Sequence, residues 1–201
     1  MSDYTLIANL LCLDLLNTEP VRDGARVDLL RDFGAVVEWL VAAGALDGPS
    51  GRRAIARWNG PAGVAVLAEA RALRAALRAG VERIVGGGRP GRATVEALNR
   101  VLAGRPAYRR IVAEGDRFVT RVEPVRSSAL QLLVPVAESA AWLLEHGDLA
   151  LVRRCGGPDC VLYFYDTTRN HSRRWCSMDE CGSRAKAGAY YRRQHPGAGR
   201  A

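Results

Sequence analysis

Residues 155–194 read CGGPDCVLYFYDTTRNHSRRWCSMDECGSRAKAGAYYRRQ, and the rest of the chain is organised around them. Four of the five cysteines lie here, as two C-x4-C pairs with fifteen residues between Cys160 and Cys176. Zn2+ takes four soft ligands in a tetrahedron, and two turns that each supply two thiolates can hold it from opposite sides. Gly156, Gly157 and Pro158 let the chain reverse between the first pair, and Ser177-Met178-Asp179-Glu180 can turn between the second. The spacing predicts one closed structural zinc site on Cys155, Cys160, Cys176 and Cys181. Two disulfides are the competing reading. Against them stand an odd cysteine count, a start that lacks a signal-peptide pattern, and a length that allows a core without cross-links. Thioredoxin-like redox chemistry needs C-x-x-C, which neither pair has. His171 sits in mid-turn with four thiols already at hand, so it is left out of the ligand set.

The residues between and after the pairs predict the rest of the module. Val161-Leu162-Tyr163-Phe164-Tyr165 is an apolar run that reads as a short strand. Residues 166–172 are polar turn material, and Arg173-Arg174-Trp175 is expected to return as the second strand of a β-hairpin. Residues 182–194, rich in Ala, Arg and Lys and stopping before Pro196, read as a helix. The last cysteine then lies near a helix N-terminus, where the dipole favours a thiolate.

The sequence Arg173-Arg174-Trp175-Cys176-Ser177-Met178, then Cys181-Gly182-Ser183-Arg184 and Lys186, resembles the CGNR-type zinc finger of bacteria. Ser183 stands where that family has Asn; its short polar side chain can still hydrogen-bond to nearby backbone. Leu11-Cys12-Leu13-Asp14-Leu15-Leu16-Asn17-Thr18 is similar to the opening of the helical domain that accompanies this finger, described as a stress-induced transcription regulator domain. The resemblance implies a zinc-dependent nucleic-acid-binding regulator, stress response among its roles, in two domains: 1–150 mostly helical, and 151–201 the finger.

Charge points the same way. The chain carries +8, and residues 153–201 hold nine arginines and one lysine against three aspartates and one glutamate, so most of the excess belongs to the finger. Basic modules attract phosphate backbones. Arg169, Arg173 and Arg174 on the hairpin, with Arg184, Lys186, Arg192 and Arg193 on the helix, are the expected nucleic-acid contacts, since arginine forks phosphate oxygens and guanine edges. Tyr190 and Tyr191 could stack on bases, whereas Trp175 is expected to pack on the metal site. DNA is favoured over RNA as partner. The alternatives are an RNA binder, or a structural clasp beside a helical domain that binds a small molecule or a protein; an effector and a homodimer belong to the regulator reading. No enzyme is expected: four-thiolate zinc is closed, and no Ser/His/Asp set or carboxylate pair stands at useful spacing. No run of eighteen apolar residues exists, so neither a membrane span nor a membrane partner is expected, and a reducing cytoplasm suits the thiolates.

Upstream, the pattern gives a mainly α (α+β) fold. The apolar block at 5–17 reads as a helix, with Asp14 and Asn17 as polar positions that satisfy backbone groups or cap the helix end, a small-ligand or interdomain contact being the less favoured alternative. Asp28 is expected to cap a helix over 29–43, residues 47–51 to form a turn and 52–58 a short helix or turn. A long helix covers 62–85, with Arg71, Arg74 and Arg78 on a solvated face. Thr94 is expected to cap a helix to Leu102. Two short strands, 108–112 and 117–122, form a small hairpin, and a helix over 127–146 is kinked or broken at Pro135.

Overall fold

The computed structural model describes residues 4–104, 107–115, 117–124 and 128–194. In chain order the elements are α1 (Leu11–Leu16), β1 (Val21–Arg22), β2 (Ala25–Arg26), α2 (Phe33–Ala42), α3 (Gly48–Trp58), α4 (Pro61–Val85) and α5 (Arg92–Leu102). Then come β3 (Ala107–Glu114), β4 (Arg117–Pro124), a 3-10 helix (Ala129–Leu133), α6 (Val134–His146), a second 3-10 turn (Leu149–Leu151), β5 (Val152–Arg154), β6 (Tyr163–Tyr165), a π-helical turn (Met178–Gly182) and α7 (Ser183–Gln194). The mainly helical expectation holds, with three separate antiparallel two-stranded pairs among the described residues.

The 25-residue α4 is the spine. Val66, Ala70, Leu73, Leu77, Val81 and Ile84 recur at helical spacing and are buried against α1, α2, α5 and β5. Leu13, Leu16, Trp39, Leu40 and Leu133 fill the space around them. The same core continues through Val152 and Tyr163, so the hairpin β5–β6 is anchored in the helical domain and no flexible linker separates them.

Several local expectations are corrected. The helix expected over 5–17 is only α1, because Asp14 Oδ1 accepts the N–H groups of Ile7 and Ala8, at 3.1 and 3.0 Å, and Asn9 has φ 64°. Those bonds hold the preceding residues extended. In the loop after α1, Asp23 and Gly24 both have positive φ and close the two-residue hairpin β1–β2, the turn type whose twist suits flanking strands. Asp28 caps nothing. Asp32 caps α2, accepting from Ala35 N at 2.8 Å, and Asp47 caps α3, so the turn expected at 47–51 is that helix's first turn.

Asp28 is drawn elsewhere by the arginines of α4, of which Arg71 is exposed as expected while Arg74 is buried and Arg78 half-buried. Arg74 is 3% exposed and forks Asp28 at 2.8 and 2.9 Å, also reaching Thr18 Oγ1 at 2.7 Å and Glu19 at 3.1 Å. Arg71 meets Asp28 at 3.0 Å and Arg78 meets Glu19 at 2.7 Å. Arg71 also donates to Leu30 O, and Arg78 to Leu16 O. The row clamps the segment between α1 and α2 onto α4. A buried guanidinium is tolerated only when its charge and donors are met, as they are here.

Thr94 is not a cap either. Gly91 precedes α5, and the Thr94 hydroxyl is turned inward to Ala76 O at 3.0 Å, beside Gly80, where a Cβ would come within 2.8 Å of the Thr94 methyl and 3.1 Å of its hydroxyl. Pro135 breaks the helix expected over 127–146: a 3-10 segment ends at Leu133, and Pro135 occupies the first turn of α6, where its missing N–H costs nothing. The hairpin at 108–122 is present but longer, as β3–β4.

The finger's hairpin is displaced from its expected place. β6 pairs with β5, in register Val152↔Tyr165 and Arg154↔Tyr163, so the hairpin encloses the first cysteine pair. Residues 173–175 form no strand. Their place is fixed instead by side-chain bonds from Asp166 and Arg173 described below.

Candidate metal centre

β5 ends at Arg154, so Cys155 emerges directly from the ladder. Its N–H donates to Leu162 O at 2.9 Å, and Cys160 N–H donates to Gly157 O at 3.2 Å, closing the first knuckle. At Gly157 a Cβ would stand 3.2 Å from both Cys160 Cβ and Cys181 Sγ, so any side chain there would crowd the converging sulfurs. Cys176 N–H donates to Cys155 Sγ at 3.2 Å and ties the second knuckle to the first. Ser177 then accepts from Glu180 N at 3.4 Å, starting the π-helical turn that presents Cys181 just before α7. At Gly182 a Cβ would meet Met178 Sδ at 2.6 Å and touch the Trp175 ring at 3.5 Å, so a side chain there would displace the end of Met178.

The four sulfurs lie within 4.8 Å of one another, with Cys176–Cys181 at 3.5 Å and Cys160–Cys176 at 3.8 Å. Thiolates about 2.3 Å from a tetrahedral zinc stand about 3.8 Å apart, against about 2.05 Å in a disulfide. The cluster has the dimensions of a zinc site and all five cysteines are free. Cys155, Cys176 and Cys181 are buried and Cys160 is half-buried.

Four sulfurs this close cannot all ionise unaided. The hydrogen bond with Cys176 holds the Cys160 thiol down to about 5, and the same contact, first among several causes, pushes Cys176 up. Burial raises Cys181, against hydrogen bonds from Cys176 and Arg184. A divalent cation would replace these protons and let four thiolates coexist.

Surrounding side chains brace the cluster. Arg184 Nη2 donates to Cys181 Sγ at 3.2 Å. Ser183 donates to Met178 O at 3.1 Å, so the residue in the family's Asn position stabilises the π-helical turn. Trp175 packs on the cluster, as its place beside Cys176 suggests. Asp166 is fully buried and accepts from Thr168 N and Oγ1 and from Arg173 N. Burial raises its pKa, but those bonds outweigh it and hold the carboxyl below its ordinary value.

The residues expected to touch nucleic acid divide. Arg173 is half-buried. Its guanidinium lies 4.2 Å over the Phe164 ring and donates to Trp175 O, Cys176 O and Ile7 O, so three of its five N–H groups hold the protein together. Arg169, Arg174, Arg184, Lys186 and Arg193 are exposed, with Arg174 stacked 5.2 Å over Trp175. The side chain of Arg192 and residues 195–201 lie outside the described residues. Sequence reasoning missed Asn9, which donates to Tyr165 O at 2.9 Å; nothing in its neighbours marks it as a tether. Asn17 did carry a signal, as a polar residue in an apolar block.

These features define a class: a four-cysteine finger seated on a helical domain. Residues 9–147 match the ABATE family, described as "putative stress-induced transcription regulator", and residues 152–194 match the CGNR zinc finger. The first match alone spans more than half of the chain, which therefore belongs to the ABATE family and carries a CGNR zinc finger at its C-terminal end. A search of curated proteins finds no match. Among the described residues no helix is long and apolar enough to cross a membrane.

Proposed function

We propose that this chain is a DNA-binding transcription regulator in which Zn2+, held by Cys155, Cys160, Cys176 and Cys181, fixes a basic helix for insertion into a DNA groove. The observation that carries the reading is α7. It starts two residues after Cys181, and none of its described side chains is buried. Among its described residues only Ala185, Gly188 and Ala189 are half-covered, so most of the helix, its basic side chains included, is open to another surface. Arg184, Lys186 and Arg193 stand on it, with Arg174 and Arg169 on the preceding segment. The major groove admits an α-helix, and arginine and lysine serve its phosphate walls and guanine edges. DNA is favoured over RNA because the RNA major groove is too deep and narrow for side-chain reading. The finger acts as a binding element and not as a catalyst, because four thiolates leave zinc no open position.

The test is anisotropy of labelled duplex DNA and RNA of one sequence, titrated with zinc-loaded and zinc-stripped protein. The proposal requires DNA binding that depends on zinc and falls in an Arg174→Ser/Lys186→Ser/Arg193→Ser variant. Preference for RNA would move the assignment to RNA, and no binding to either at low salt would end it.

A further inference from the structure

The hairpin β3–β4 belongs to neither the metal centre nor the core. Its eight-residue strands pair along their full length, from Ala107↔Pro124 to Glu114↔Arg117. No other described element packs extensively on it. An isolated two-stranded hairpin is only marginally stable in water, so a ribbon this long is expected to have a partner.

Cross-strand pairing sorts its side chains into two faces. Ile111↔Thr120 and Ala113↔Phe118 share one face, with Val122 next along the strand; Ile111, Phe118 and Val122 are 71%, 79% and 56% exposed. On the other face Arg110 stands directly opposite Arg121, and Arg117 follows two pairs further on, opposite Glu114. Like charges directly opposite each other destabilise a ladder unless an anion compensates. Glu114 pairs with Arg121, which leaves Arg110 and Arg117 without an acidic partner among the described residues. All three arginines are exposed.

The geometry points to β3–β4 as a second nucleic-acid contact: a ribbon that stands between the walls of a groove, with Arg110, Arg117 and Arg121 of one face on phosphates and Phe118 of the other face, beside the turn, as an apolar wedge. This rests on the nucleic-acid reading of the finger and extends it. A groove of duplex DNA admits a two-stranded ribbon, and apolar side chains at such tips unstack base steps. A second copy fits less well. Even with a buried phenylalanine contributing about 150–250 Å2, three apolar side chains fall short of the roughly 800 Å2 per partner of a stable interface.

The experiment uses the full zinc-loaded chain and labelled duplex DNA across a salt series. Arg110→Ser/Arg117→Ser should flatten the log–log salt slope by about two units, one for each lost phosphate contact. Arg110→Lys/Arg117→Lys should restore the slope, and Phe118→Ser should weaken binding without changing it. All sites are exposed, and zinc content with the melting curve verifies that each variant is folded. If the serine variant keeps wild-type affinity and slope while the Arg174/Lys186/Arg193 variant loses binding, the ribbon proposal is overturned and the finger reading stands. If wild-type protein binds no nucleic acid, the finger reading falls and the ribbon proposal with it. If Phe118→Ser instead converts a dimer to monomer in sedimentation, the face belongs to a second copy and the proposal is overturned.

Discussion

Asn17 and Tyr163, 146 residues apart, bond as neighbouring strand residues do: Asn17 Nδ2 donates to Tyr163 O at 2.9 Å, and Tyr163 N–H donates to Asn17 Oδ1 at 2.9 Å. The side chain stands in for a strand on the free edge of β6. Tyr165 N–H donates to Ala8 O at 2.8 Å, and Arg173 reaches Ile7 O at 3.1 Å. The segment around α1 thus covers the edge that β5 leaves open and seats the finger on the helical domain.

Asn17→Ala removes both bonds and leaves a buried N–H and C=O unpaired. It is expected to cost about 2–4 kcal/mol in denaturant unfolding. A loss below about 0.5 kcal/mol would show that water replaces the side chain and that the edge pairing matters little.

Arg74→Met should destabilise by about 3–5 kcal/mol, because Asp28 and Glu19 lose their buried counter-charge. Adding Asp28→Leu should recover part of the loss, as measured in a double-mutant cycle. Simple addition of the two single losses would contradict the clamp.

Stability should bend with pH in two directions. Burial raises Asp28, but Arg74, the Leu30 N–H and Arg71 outweigh it, so its folded pKa lies below the ordinary 3.8. That stabilisation is present above the unfolded value and is lost as pH falls through the folded one. Asp14 runs the other way. Burial, opposed by the Ala8 and Ile7 N–H groups, raises it to about 6. Its contribution is full below the unfolded pKa and lost as pH rises through 6. Asp14→Asn keeps the acceptor oxygen and should stabilise the protein at pH 7 by about 1 kcal/mol after allowance for solvent, with no gain near pH 4. An equal effect at both pH values would contradict this account of Asp14.

Purified chain should hold about one zinc, and a strong chelator should expose four thiols to a colour reagent while buried Cys12 stays slow. Arg184→Ala should weaken zinc about 10–100-fold in chelator competition, through loss of the bond to Cys181. Unchanged affinity would mean that this contact does not support the metal.

The sequence disclosed the parts whose chemistry is local. Four cysteines at matched spacing, glycines in the knuckles and the 3.6-residue pattern of α4 need no distant partner to be read. Two of the misread arginine and aspartate roles answer to partners far along the chain. Asp28 is a good helix cap by type, but Arg74 claims it from 46 residues away. Arg173 looks like a nucleic-acid contact in a basic run, yet Ile7 O, 166 residues distant, takes one of its N–H groups. The strand expected at 173–175 gives way to β5, whose Val152 enters the core while Arg153 and Arg154 stay exposed, and Arg173 and Trp175 are engaged instead at the cysteine cluster.

The central claim is that zinc holds α7 as a nucleic-acid-reading helix. Its most direct test is the salt dependence of duplex DNA binding by zinc-loaded protein, beside the Arg174→Ser/Lys186→Ser/Arg193→Ser variant. The account predicts a steep log–log slope that drops by about three units in the variant. Wild-type and variant slopes that coincide, or an absence of binding at low salt, would contradict it.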